Sequence, residues 1–178
     1  MVNEQSAQRV RKANKEDLAT IQSIFARARK LMAANGNLTQ WGTTWPPIEL
    51  IEEDIDKRRA MVLVDNDGDD GAERILAYFA VCEGEEPTYA EIDGRWLDDD
   101  AYVTVHRLAS SGLRDHSAKA CLDWVLVRYG NLRCDTHPDN KAMRHVFESD
   151  GFARCGIIHV MNVTTTPSPR IAYQRHDC

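Results

Sequence analysis

The sequence predicts an α/β fold in one domain spanning residues 1–178. Two observations carry the fold class. Residues 101–160 read strand, polar loop, helix, strand, a short polar segment, helix and strand in turn, the alternation that builds an α/β sheet. Ahead of them, two amphipathic helices precede a pair of apolar strands joined by an acidic tip. A third observation bounds the size. The 178 residues, 43% hydrophobic and 28% charged, suit one domain with a sizeable core.

Each element has a local reason. Residues 8–13 suit a short first strand. Asn14 caps the helix that follows, with Glu16 and Asp17 in its first turn. Leu18, Ile21, Ile24, Phe25, Ala28, Leu31 and Met32 recur at three and four residues as one apolar face, and Asn35-Gly36-Asn37 ends the helix. Trp41 and Trp45 lie in a Gly/Pro-rich connection, and Pro46 and Pro47 open a second helix carrying Ile48, Leu50, Ile51 and Ile55. Residues 60–64 and 74–82 read as a hairpin whose long tip is 65–71. Residues 83–100 are acidic and predict irregular structure with one helical turn. Strand 102–108, a helix through Ala118, Cys121, Leu122, Val125 and Leu126, and strand 132–136 follow. Pro138 suits the first turn of the next helix, with Met143, Val146 and Phe147 on its inner face. Asp150-Gly151 ends that helix. Residues 152–161 and 170–174 are closing strands, with a loop at 164–167.

Composition excludes some functions. The net charge of -6 and the lack of a basic stripe argue against a nucleic-acid partner. No apolar run is long enough for a membrane span. The first residues lack the basic-then-apolar pattern of a secretory signal, so the expected location is cytoplasmic. Five cysteines without a C-x-x-C pair read as free thiols, and six scattered histidines give no metal-ligand spacing.

The loop Gly112-Leu113-Arg114-Asp115-His116-Ser117-Ala118 joins a strand to a helix, where backbone N–H groups favour a phosphate. Asn140 opens the next helix and is followed by Met143, Val146, Phe147, Gly151 and Phe152. Together these segments resemble the coenzyme A-binding half of the GNAT superfamily of N-acetyltransferases. The resemblance implies a central twisted mixed sheet flanked by helices, with the cofactor between two splayed strands. It implies acetyl-CoA as co-substrate and direct acetyl transfer to an amine of a small molecule or peptide, with no membrane partner and a homodimer permitted. Two departures stand out. Only Ala118 matches the Q/R-x-x-G-x-G/A phosphate loop: Leu113 and His116 occupy its Gln/Arg and middle Gly places, and the arginine falls one residue late, at Arg114. Phe147 replaces the tyrosine that often protonates the leaving thiolate. A GNAT-like binding or regulatory module without turnover is therefore the alternative.

Roles follow from the resemblance and from residue chemistry. His106 is the expected base, as imidazole titrates near neutrality, and His137 is a second candidate. The backbone of Leu108 and Ala109 is placed to polarise the thioester. Arg114, His116, Ser117 and Ala118 are expected at the pyrophosphate, and Asn140 and Phe147 along the pantetheine arm. Gln40, Trp41, Trp45, Glu86 and Tyr89 fall where an acceptor amine would bind, the aromatics by cation–π contact.

Overall fold

The chain passes from its first strand into its first helix through a reciprocal pair of side-chain caps. In the computed structural model, which describes residues 7–161 and 166–177, strand β1 (Arg9–Lys12) leads through a 3-10 turn at Lys15–Asp17 into α1 (Leu18–Ala34). Asn14 Oδ1 accepts the Glu16 N–H at 2.8 Å, and Asp17 Oδ2 accepts the Asn14 N–H at 2.9 Å. Two donors that a helix start leaves open are thereby satisfied. Ile21, Ile24 and Phe25 form the buried stripe of α1, whereas Leu31 is exposed. At 3.6 residues per turn Leu31 lies about 80° around the axis from Ile21, at the margin of the stripe. Pro47 then introduces α2 (Ile48–Asp56).

Strand β2 (Ala60–Asp65) is buried at every position, which requires cover on both faces of the sheet. Met61 and Leu63 join one core with Leu122, Val125 and Phe147; Val62 and Val64 join the other with Ile21, Phe25 and Ile51. Strand β3 (Arg74–Glu83) returns antiparallel to β2 as expected. The acidic segment 83–100 holds a 3-10 turn at Pro87–Tyr89 and a two-residue strand β4 (Asp93–Gly94). Next come β5 (Val103–Ser110), α3 (Ser117–Tyr129), β6 (Asn131–Thr136) and α4 (Lys141–Ser149), then β7 (Ala153–Val160) and β8 (Ser168–His176). Pro138 precedes α4 rather than opening it. Asn140 takes the cap, its Oδ1 accepting the Met143 N–H at 3.2 Å, so the helix begins one residue later.

The sheet order is β1-β2-β3-β5-β6-β8-β7-β4. Every pairing is antiparallel except β5 with β6. This is the mixed sheet flanked by helices that the resemblance implies. The parallel pair bonds only at Val103↔Leu132 and Thr104↔Arg133. Both strands continue beyond those residues without pairing to each other, so the sheet opens in its middle. Among the described residues no helix is long and apolar enough to cross a membrane, and Cys82, Cys121, Cys134 and Cys155 are free thiols. Cys178 and Thr164 and Thr165 of the expected loop lie outside the described residues.

Candidate active site

A bulge in β5 faces this opening. Ala80 pairs with His106 and Tyr78 with Ala109, so Arg107 and Leu108 both stand opposite Phe79. Two residues against one define a bulge, which bends the strand and re-aims its side chains. Arg107 holds a φ of +56°, a conformation non-glycine residues adopt sparingly. Asp54 shows what holds it there. Its fully buried carboxylate accepts Arg107 Nε at 2.8 Å and Nη2 at 2.9 Å, the Tyr78 hydroxyl at 2.8 Å and Arg59 Nε at 2.6 Å. A charge so deep requires such pairing.

A cavity of about 360 Å³ occupies the gap between the parted strands. Val105, His106, Arg107 and Leu108 of β5 line one side, and Asp135 and Thr136 of β6 the other. Gln40, Trp41, Trp45 and Glu86 close it from the connecting segments, and Asn140, Met143 and Phe147 from the start of α4 and its inner face.

His106 Nε2 lies 3.0 Å from Glu86 Oε2, both side chains being about one-fifth exposed. Glu86 is positioned independently: its Oε1 accepts the Thr88 N–H and hydroxyl, and its own N–H donates to the Tyr102 hydroxyl. The hydrogen bond from His106, stronger than the opposing effect of burial, lowers the Glu86 pKa to about 2. Glu86 is thus a half-buried partner of an imidazole rather than part of the exposed run formed by Glu83 and Glu85.

Asp135 and Arg170 are cavity residues that the sequence reading did not single out. Each reads there as an ordinary charge on a strand. Asp135 Oδ1 accepts the Tyr89 hydroxyl at 2.8 Å, and Arg170 Nε lies 3.9 Å from Asp135 Oδ2. Tyr89 itself is buried against Trp96 and stands behind the wall, holding Asp135 rather than reaching the cavity. Burial, with the neighbouring carboxylate, keeps its phenol well above the usual range. Asn140 is buried too. Its Nδ2 donates to Gln40 Oε1 at 3.0 Å, and Asn37 Nδ2 donates to the same oxygen at 2.7 Å. Trp41 packs edge-on against Phe25 at 5.6 Å, so it belongs to the core and to the cavity wall together.

The remaining expected residues lie elsewhere. His137 is off the cavity wall; its Nδ1 accepts the Asp139 N–H at 3.1 Å, the role of a turn cap. Burial first, then Arg170, holds its pKa below the ordinary value. Ala109 is buried in the core beneath α1. Ser117 Oγ donates to the Arg114 carbonyl at 2.8 Å at the start of α3, with half-buried Ala118 beside it. His116 is exposed at the N-cap of α3 with a φ of +60°. The Arg114 guanidinium is drawn to the hairpin tip, where Nη1 lies 3.4 Å from Asp65 Oδ2. A different cation lies against the loop: Arg27 of α1 crosses Gly112 and donates to the Ser110 carbonyl at 3.3 Å. A Cβ at Gly112 would come within 2.2 Å of that guanidinium, so the glycine is what admits it. Away from the cavity, Asp98, Asp100 and His176 bring ligand-type atoms within 4.8 Å. There His176 Nδ1 lies 2.8 Å from Asp98 Oδ2, at hydrogen-bond distance, which accounts for the approach of these groups.

No family model and no curated protein matches this sequence. Solved structures do. An acetyltransferase of the GNAT family from Streptococcus agalactiae superposes with a TM-score of 0.80 at 27% identity, over 98% of each chain. One from Listeria monocytogenes gives 0.65 at 16% identity, over 95% of this chain and 94% of that one. The yncA protein of Salmonella typhimurium, solved with its cofactor acetyl-CoA, gives 0.60 at 14% identity, over 96% and 94%. The chain has the GNAT acetyltransferase fold.

Proposed function

We propose that this GNAT-fold chain transfers an acetyl group from acetyl-CoA to an amine by direct attack. One observation carries the reading: β5 and β6 part beyond Thr104 and Arg133, and a paired histidine and glutamate face the space between them. The chain's own residues fit the co-substrate. The facing edges of the two strands offer backbone groups to an amide-bearing arm. Thr136 Oγ1 is buried on the cavity wall without a partner among the described residues. One Asn140 Nδ2 hydrogen is engaged with Gln40, which leaves the second for an arm carbonyl. The first turn of α3 and Arg27 stand at the phosphate end.

Acetyl-CoA supplies an acyl group already activated as a thioester, so no enzyme nucleophile is required. The bulge leaves Leu108 at the cavity, where its N–H is offered to the thioester oxygen. Glu86 and Asp135 attract an ammonium, and the two tryptophans present aromatic faces to it. With Nε2–H donated to Glu86, the neutral imidazole of His106 carries its lone pair on Nδ1 and takes the ammonium proton there. Phe147 packs against Phe152 and Tyr173 at ring distances of 5.3 and 5.0 Å and gives no proton, leaving the thiolate to solvent.

Thiol release from acetyl-CoA, assayed across an amine panel, tests this reading. His106→Ala should lower turnover roughly 100-fold while the fold is retained, and acetyl-CoA should raise the melting temperature of both proteins. Unchanged turnover in a folded variant would reassign the histidine to packing. A melting shift with no thiol release from any amine would identify the cofactor-binding module without turnover, the reading that His116 and Phe147 favour.

A further inference from the structure

Arg170 lines the cavity between β5 and β6 and is only 2% exposed, yet its charge is poorly compensated. Its Nη1 donates to Ser168 Oγ and to the Pro169 carbonyl. Among the described residues, its Nε and Nη2 have no hydrogen-bond partner. The one carboxylate within 4 Å is that of Asp135, 3.9 Å from Nε and so beyond hydrogen-bond reach; it is already engaged by the Tyr89 hydroxyl. Burial lowers the Arg170 pKa, and Asp135 alone opposes it. Arg107, on the same cavity wall, places its own Nε and Nη2 on Asp54. A buried charge without such a partner is costly.

The strand register sets Arg170 on the same face of the sheet as His106. Ala80 pairs with His106 and packs with Phe25 and Ile51 beneath α1 and α2. Along β3, Cys82 shares the face of Ala80 and pairs with Thr104, which pairs in turn with Arg133 of β6. Asp135 follows Arg133 by two residues and pairs with Ala172, and Arg170 precedes Ala172 by two. Tyr89 spans the same face, its hydroxyl on Asp135 and its ring 6.4 Å from that of His106. Ile171 and Tyr173 point the other way, into the core with Leu122 of α3 and Phe147 of α4. Arg170 therefore faces away from α3, where the phosphates of coenzyme A are placed above.

We infer that the acceptor is a small amine that also carries a carboxylate, an amino acid, with the carboxylate on the Nε–Nη2 edge of Arg170. This deepens the acetyl-transfer reading above and rests on it. The two N–H groups of that edge match a carboxylate in a pair of parallel bonds. Asp135 beside the fork limits the charge that the seat accepts, so a monoanion suits it better than a phosphate dianion. Met32, Trp45, Leu50 and Val160 supply apolar wall in the same cavity, which suits an apolar side chain.

Two matched pairs serve as probes, L-leucine with L-leucinamide and 4-aminobutyrate with its amide, assayed at pH 7 for thiol release and for binding by calorimetry. In the wild-type chain one acid should have a KM about tenfold or more below that of its amide, the range of a hydrogen bond to a charged group. The pair that shows it reports how far the carboxylate seat stands from the amine. In Arg170→Met, with a cooperative melting transition to show that it folds, the preference should fall to near unity. Arg170→Lys keeps the charge without the fork and should retain only part of the preference. Equal KM values for acid and amide in both pairs, release from other amines but from neither acid, or a preference that survives in Arg170→Met would overturn the inference and leave acetyl transfer standing. If no amine releases thiol, binding decides. An acid bound more tightly than its amide, with the difference lost in Arg170→Met, keeps the carboxylate seat and removes the transfer reading. Equal binding of acid and amide, or none by any probe, removes the seat.

Discussion

At the scale of single residues, His116 is the clearest departure from the family pattern, and the structure gives it a physical form. It sits exposed at the N-cap of α3 with a φ of +60°, making no side-chain cap. Glycine adopts that conformation at little cost and admits close approach of a phosphate. His116→Gly is therefore expected to relieve about 1 kcal/mol of backbone strain, offset in part by the greater freedom of glycine in the unfolded chain, and to tighten coenzyme A binding, measured by calorimetry. Titrations at pH 6 and pH 8 separate the alternatives: weaker binding in the variant, most marked at pH 6, would show that the imidazolium ligates phosphate. The loop was legible in the sequence as a strand-to-helix turn. The direction of its arginine was not, because Arg114 answers to Asp65, 49 residues away. The same limit hid Arg27, a surface residue of the first helix by its periodicity. His106 was legible as a candidate base, but its pairing with Glu86 was not, since Glu86 is written inside an acidic run.

At the scale of elements, the bulge in β5 decides the site. Strict alternation would put Thr104 and His106 on one face and Val105 and Arg107 on the other. The doubled residue opposite Phe79 breaks that alternation, and Val105, His106, Arg107 and Leu108 all reach the cavity. A bulge depends on a partner strand and on Asp54, neither visible in a local pattern, whereas the helices and strands themselves announce their apolar periodicity. The Asp54 carboxylate ties α2, β3 and the bulge together through Arg59, Tyr78 and Arg107. Asp54→Asn leaves two guanidinium groups poorly compensated, and breaking a buried pair of this kind costs about 3 kcal/mol or more. The expected outcome is a fall in melting temperature on the order of 10 °C, with a loss of thiol release in the folded fraction as the bulge relaxes. A thermal scan combined with the thiol assay checks both. A variant as stable and active as the wild type would show that the bulge holds without Asp54.

At the scale of the whole molecule, carboxylate pairs tie one element to another, and they set a pH dependence. Asp17 joins β1 to α1 through Arg11. Asp65 spans the hairpin through Arg74, Glu86 anchors the acidic segment to β5 through His106, and Asp98 meets β8 at His176. The hydrogen bonds of Arg74 lower the Asp65 pKa from 3.8 to about 2, and that of His106 lowers Glu86 from 4.5 to about 2. A carboxylate with a depressed folded pKa adds stability that is complete above its unfolded value and is lost as pH falls through the folded one. His137 acts in the same sense. Its folded pKa lies below 6.5, so the unfolded chain binds the proton first and stability declines as pH drops below that value. The melting temperature should therefore fall from about pH 6.5 downward, most steeply between about 4.5 and 2. Asp65→Asn should lower stability at neutral pH, because it removes the buried carboxylate with which the partly exposed Arg74 pairs, and should flatten the acid limb. A wild-type profile level from pH 6.5 to pH 3 would show that these ties do not govern the acid stability of the molecule. Protonation of Glu86 also releases His106 from its partner, so any thiol release that remains at acid pH should be gone by about pH 2.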